Sequence, residues 1–463
     1  MSLKLYQLFI TAFLFLIIKT THAQDFINAN YSFGLKATNV GANDMADAYS
    51  AWKNSFLKTC DNGRFRVEFQ DAGQTVSEGI AYGMLLAAYA NDQEAFDGMW
   101  LYYQDNTNFN GVMNWKIQGC NNAIGQNGAT DAELDAAYAL MVADKRWGND
   151  GAINYNQDAK TLIQTIKDHE VEAGTNVLKP GDVWGGSNNT NPSYFATGYF
   201  RAYGEYTDDV AFWNAVADKS YDIINKNLTI NNAKFNLVSD WTKADGNYST
   251  EVPWATDLGR SYSYDAARTP WRAAIDYVWY GDSDALSYSN LCNDFVNSVG
   301  GFDNIFPGYR QDGTPISTDF KDPVFTGAYA LAAMASGDQN FVNAAYTELK
   351  NQAKSDYFSA TLRVIYMFGM SGNLFNTQTV TLSANDFSIK PVTFKMFPNP
   401  VDANINLSFA TNELHKVAIY DINGRRLYNK VFKTPTANIN VNTFSQGMYV
   451  VSVNGSYIKF TKK

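Results

Sequence analysis

The chain has 463 residues with a formal net charge of −10, three cysteines and three histidines. Its acidity opposes nucleic acid and anionic membrane as partners, and three cysteines admit one disulfide but no disulfide scaffold. Of the histidines, His22 lies in the leader, His169 in the polar helix end K-D-H-E-V-E and His415 near the C-terminus, so acid–base chemistry falls to carboxylates, with no metal or cofactor.

Residues 1–23 read as a secretory signal peptide: Lys4, an apolar run, then T-H-A before Gln24. No later segment approaches a membrane span. Twelve helical patterns follow, centred on 44–59, 78–90, 92–104, 130–144, 155–170, 193–205, 208–227, 268–280, 283–298, 322–336, 338–352 and 355–369. The first places Met45, Tyr49, Trp52 and Phe56 at helical spacing. The breaks between helices are rich in Gly, Asn and aromatics, as in K-P-G-D-V-W-G-G-S-N-N-T-N-P-S-Y-F. Paired helices with elaborate loops, and no β-rich run alternating with them, predict a mainly α toroid or bundle over 24–370.

The pattern changes after Met370. Residues 371–393 read as a polar linker, and 394–463 as a small β-sandwich-like module whose hairpins turn at N-G 423–424 and 454–455. The module carries nine Lys and Arg against three Asp and Glu, which leaves the large region strongly acidic. All ten tryptophans lie between Trp52 and Trp279, so the module has no tryptophan platform for sugars.

Three carboxylates stand at loop-to-helix junctions. Glu78, in T-V-S-E-G-I-A-Y-G-M, has capping-box spacing from Thr75, but Gly79 and Gly83 weaken the first helical turns and leave room for a backbone or ligand. In G-A-T-D-A-E-L-D-A-A-Y, Thr130 and Glu133 form a second capping-box pair. Asp131 then sits at the first helical position, where the free amides favour the anion. Asp135, one turn further on, reads as structural. In R-S-Y-S-Y-D-A-A-R-T-P-W-R, Thr269 caps a helix with Pro270 next, placing Asp265 in the preceding loop with Arg268 three residues on. A nearby arginine favours the carboxylate, which suits a base. Glycoside hydrolysis needs such a set, an acid for the leaving oxygen and a base for water, together with flat apolar faces for the sugar. Trp115, Trp184, Tyr194 and Phe195 lie in or beside loops that would frame a cleft.

The stretches A-T-D-A-E-L-D-A-A-Y-A-L-M-V-A-D-K-R-W, V-S-E-G-I-A-Y-G-M and Y-D-A-A-R-T-P-W-R, in that family's order, resemble glycoside hydrolase family 8 over residues 40 to 370. The resemblance implies an (α/α)6 barrel, a double ring of twelve helices, and an inverting mechanism. By position it implies Glu78 as general acid, Asp265 as general base, and Asp131 as the residue that holds the sugar at the cleaved bond. Arg268 would orient Asp265 or bind an adjacent sugar, and Trp115, Tyr194, Trp184 and Tyr264 would be substrate contacts. G-V-M-N-W-K-I resembles the cellulase members, which implies endo action on cellulose or mixed-linkage β-glucan, with xylan or chitosan as the alternative. A non-catalytic polysaccharide-binding protein would keep the aromatics but need neither acid nor base. A toroidal lyase acting on anionic chains fits the acidic domain poorly.

The module's F-P-N-P, V-A-I-Y-D-I-N-G-R and G-M-Y-V-V-S-V resemble the sorting domain of the type IX secretion route. That resemblance implies passage through the secretion machinery to a secreted or surface-attached state. A monomer is expected.

Overall fold

The computed structural model describes residues 26–230, 237–252, 259–380, 394–409, 414–421, 426–453 and 456–463. The leader at 1–23 and both N-G turns lie outside the described residues. The chain divides into two compact units, 1–380 and 381–463. No helix among the described residues is long and apolar enough to cross a membrane.

The described residues of the first unit form twelve α-helices: α1 (Asp44–Phe56), α2 (Ser77–Tyr89), α3 (Gln93–Asp105), α4 (Thr130–Trp147), α5 (Tyr155–His169), α6 (Thr197–Thr207), α7 (Val210–Ile230), α8 (Thr269–Tyr280), α9 (Ser283–Ser298), α10 (Pro323–Ala332), α11 (Gln339–Asn351) and α12 (Tyr357–Ser371). The even-numbered helices each pack on the next, and α12 returns to α2, which closes an inner ring. Each odd-numbered helix packs outside an inner neighbour. This is the double ring of an (α/α)6 barrel.

The sequences explain which helix goes where. In α2 every residue except Glu78 is buried, as expected of a helix surrounded by others. In α5 only a stripe is buried, at Tyr155, Ala159, Leu162, Ile163 and Ile166, the i, i+4, i+7, i+8 pattern of an outer helix. The pattern predicted at 193–205 becomes helical only at Thr197, because Asn191 caps a separate turn over Pro192–Tyr194. The pattern at 322–336 ends in a tighter turn at Ala333–Ala335.

Short strands brace the loops: β1 (Leu57–Thr59) pairs with β2 (Phe65–Val67), and β3 (Gln74–Val76), β4 (Lys116–Gln118) and β5 (Asn122–Gly125) form an antiparallel sheet. A disulfide joins Cys60 to Cys120 and so ties the first hairpin to the second sheet, while Cys292 is free and buried.

The residues after α12 remain packed. The Phe375 ring lies 4.9 Å from Tyr89, and the Trp279 indole donates to the Leu374 carbonyl. Burial of these side chains explains why the unit extends to Val380, beyond the predicted linker start at 371.

One buried ion pair crosses the inner ring. Arg272 on α8 meets Asp135 on α4 through two bonds of 2.7 and 2.6 Å, with both side chains almost fully buried. Asp135→Ala would strand a buried guanidinium, and urea unfolding should register a loss of about 3–5 kcal/mol.

The second unit is an antiparallel β structure of β6 (Phe394–Phe397), β7 (Asn404–Phe409), β8 (His415–Asp421), β9 (Arg426–Phe432), β10 (Thr436–Asn440), β11 (Gly447–Val453) and β12 (Ser456–Lys462). One sheet has the order β10-β7-β6, the other β12-β11-β8-β9. Alternating residues such as Ile405, Leu407, Val417, Ile419, Val451 and Val453 form its core.

Candidate active site

The inner helices start at one end of the barrel. Glu78 stands in the first turn of α2, Asp131 in that of α4 and Tyr357 at the start of α12, while Tyr194 and Asp265 lie just before α6 and α8. Together with Asp322 before α10, they line a cleft of about 750 Å³ or bond to residues that do.

Loop geometry builds part of this end, while the side chains of Asp322 and Asp356 cap α10 and α12. Helices α2, α4, α6 and α8 have no side-chain cap, whereas outer helices α3, α5, α9 and α11 are capped by Asp92, Asn154, Asp282 and Asp338. The amides of Ser77 and Thr130 bond instead to the carbonyls of Trp115 and Pro180, at 3.0 and 3.2 Å.

Both predicted capping boxes are therefore corrected. Thr75 lies in β3. Glu133 turns inward to accept from the Tyr103 hydroxyl at 2.9 Å and the Met113 amide at 3.3 Å. Thr130 is itself the first helical residue, so Asp131 occupies the second position, and α8 likewise starts at Thr269 without a threonine cap. The first-turn amides and helix fields of the inner ring still favour acidic groups in the cleft.

Arg268 organises the centre. Its side chain is 3% exposed. Nη1 donates to Glu78 Oε2 at 2.9 Å, to Asp131 Oδ2 at 2.7 Å and to the Tyr82 hydroxyl at 3.1 Å. Nη2 reaches Asp265 Oδ1 at 3.3 Å. All three predicted carboxylates thus share one guanidinium, and the Tyr194 and Phe358 rings lie against it at 5.4 and 5.9 Å.

Glu78 Oε1 accepts from the Tyr357 hydroxyl at 3.0 Å. Burial pushes the Glu78 carboxyl up to about 8, with Arg268 opposing and Asp131 adding to the rise. Burial also lifts Asp265 above the usual aspartate range, although Arg268 and hydrogen bonds from Trp241 and Asn191 oppose it. Arg268 favours the carboxylate of Asp265, as its place three residues on implied, but desolvation by burial is the larger influence.

The glycines of α2 make room for protein side chains. A Cβ at Gly79 would come within 2.9 Å of the Tyr357 hydroxyl, and one at Gly83 within 2.5 Å of the Met99 sulfur. The predicted close approach is thus made by side chains, not by a backbone or ligand. Gly125 serves the cleft more directly, because its Cβ would lie 2.4 Å from the Trp115 indole.

The predicted aromatics flank the carboxylates. Trp115 and Tyr264 are 43% and 40% exposed, and Tyr264 donates to Asp322 at 3.0 Å. Trp115, Tyr194 and Asp265 also border an adjoining cavity of about 590 Å³ that reaches Trp184. Phe195 is buried and belongs to the core.

Sequence reading missed Tyr357, Asp240 and Trp241. Tyr357 is a lone tyrosine at a helix start. The S-D-W stretch offered a carboxylate beside a tryptophan in a loop, the one signal that could have flagged it.

Residues 26–372 match the model of glycosyl hydrolases family 8, and residues 395–463 that of a secretion system C-terminal sorting domain. Endoglucanase A of Acetivibrio thermocellus is 40% identical over 335 residues, covering 70% of this chain and 68% of that protein. Endoglucanase 2 of Ruminiclostridium josui is 37% identical over 363 residues, covering 75% and 76%. Among solved structures, a beta-1,3-1,4-glucanase from Paenibacillus sp. X4 aligns with a TM-score of 0.70 at 31% identity, over 75% of this chain and 98% of that one.

Proposed function

The chain belongs to glycosyl hydrolases family 8, and we propose that it cleaves internal β-1,4 bonds of cellulose or mixed-linkage β-glucan with Glu78 as acid and Asp265 as base. The observation that carries this reading is the single guanidinium of Arg268 bonded to Glu78, Asp131 and Asp265. It keeps three acids together in a cleft while leaving Glu78 with its proton at neutral pH.

Glu78 donates that proton to the glycosidic oxygen as its bond to the anomeric carbon breaks. Asp265 accepts a proton from the water that attacks the opposite face, so the configuration inverts. Asp131 stabilises the positive charge that develops on the sugar ring. Trp115, Trp184 and Tyr264 offer flat faces along the cleft and its adjoining cavity. The proposed domain order is a signal peptide at 1–23, a catalytic barrel at 24–370, a linker at 371–393, and a sorting domain at 394–463 that directs export through the type IX machinery. The family matches over 26–372 and 395–463 support its two domains.

The test is the count of new reducing ends from carboxymethyl-cellulose, barley β-glucan, xylan and chitosan across pH. Release from the two glucans is expected, with a bell-shaped kcat/KM profile. Activity is lost as pH rises through about 8, where Glu78 gives up its proton. It is also lost at low pH, where Asp265 gains one, at a pH above that of an ordinary aspartate. Dominant release from xylan or chitosan would overturn the glucan preference and leave the mechanism standing.

A further inference from the structure

We propose that the Asp240–Trp241 pair positions the catalytic base, Asp240 by anchoring the backbone on either side of Asp265 and Trp241 by holding its carboxylate. The inference rests on the reading of Asp265 as the base.

Asp240 is 5% exposed and borders the cleft. Its Oδ1 accepts from the amides of Ser263 and Ala266, both at 2.8 Å. Those residues bracket Tyr264 and Asp265, so one carboxylate oxygen closes the turn that carries the base. The Asp240 amide in turn donates to the Ser261 carbonyl at 2.9 Å, and the Trp241 amide to that of Gly259 at 3.2 Å. The two segments therefore run together before the turn begins.

The Trp241 indole Nε1 donates to Asp265 Oδ2 at 2.9 Å. Arg268 takes the other oxygen, Oδ1, so both oxygens are assigned and the plane of the carboxylate is fixed. Trp184 lies 5.8 Å from Trp241 at an interplanar angle of 31° and supports the indole from behind. A general base must meet its water at hydrogen-bond distance and at the right angle, and a displacement of about 1 Å can cost about 100-fold in rate.

The groups facing Asp265 are Arg268 in its own turn, Asp131 on α4, Asn191 before α6, and Asp240. Tyr194 and Glu78 also feel its charge. Among them the Trp241 indole is a neutral donor to the ionised form. Its removal should make Asp265 easier to protonate and leave the other charges in place.

The experiment measures kcat and KM against pH on barley β-glucan for Trp241→Phe, Asp240→Ala, Asp240→Asn and Asp265→Asn in the full chain. Trp241→Phe keeps the aromatic packing but loses the donor. Its acid limb should move up by about one pH unit while the alkaline limb, set by Glu78, stays in place. Asp240→Ala should lower kcat about 10–100-fold with KM nearly unchanged. Asp240→Asn retains an oxygen for both amides and should recover most of that loss. An acid limb unmoved in Trp241→Phe, or an asparagine variant as impaired as the alanine one, would overturn the positioning role. An active Asp265→Asn enzyme would instead overturn the assignment of the base itself, and the two failures are therefore distinct.

Discussion

Glu78→Gln should lower kcat on barley β-glucan by about 1,000-fold with KM changed only a few-fold. Glutamine preserves the shape of the side chain and its contacts with Arg268 and Tyr357, but it has no proton to give. The same variant on a cellotrioside bearing a dinitrophenyl leaving group should lose less than about 10-fold, because that group departs without protonation. Equal losses on both substrates would show that Glu78 serves some step other than proton donation. The prediction follows from an acid held at about 8 by burial, whose bonded countercharge, Arg268, is shared with Asp131 and Asp265.

Asp265→Gly should lose at least about 1,000-fold, and azide should restore part of the activity. Azide needs no base, and the missing side chain leaves space for it on the face opposite Glu78. Single displacement at a β-linked sugar gives the α-glycosyl azide, which NMR distinguishes from the β form. A β-azide, or no rescue with a folded variant, would remove Asp265 from the role of base. The two variants dissect one pair of carboxylates whose contrast arises from their places in the cleft. Glu78 lies deeper, with 18% of its side chain exposed, and Asp265 is 32% exposed toward the cleft.

The helices were legible because each kind of ring helix has its own signature: apolar all round for α2, and a single stripe for α5. Their caps were misread at all three carboxylate junctions. Thr130 and Glu133 have the spacing of a cap, but the carbonyl of Pro180, from a distant loop, takes the Thr130 amide, and Glu133 is drawn inward to Tyr103. Local spacing cannot reveal such a distant competitor. The three carboxylates that the fold brings to one guanidinium were legible from motifs, whereas the residues that hold them were not. Tyr357 bonds Glu78 across 279 positions and Trp241 bonds Asp265 across 24, and nothing near either aromatic in sequence marks its partner. Asp135 reads as structural, and its partner Arg272 lies 137 positions away and appears only once α4 and α8 face each other across the ring.

The second unit shows the same division. Alternation along I-N-L-S-F gives the buried face of β7 directly, whereas in β11 Val451, Ser452 and Val453 are all buried. The pairing of β8 with β11, which skips two strands, follows from the sheet order and not from any local turn.

The central claim is that Glu78 and Asp265 act from opposite faces of the sugar in a single displacement. The most direct measurement is the anomeric configuration of the first product formed from cellohexaose, followed by proton NMR before mutarotation. The new reducing end is expected to appear as the α-anomer and only later to equilibrate. A β-anomer at the earliest times would contradict it, since retention requires a carboxylate that attacks the sugar in place of one that activates water.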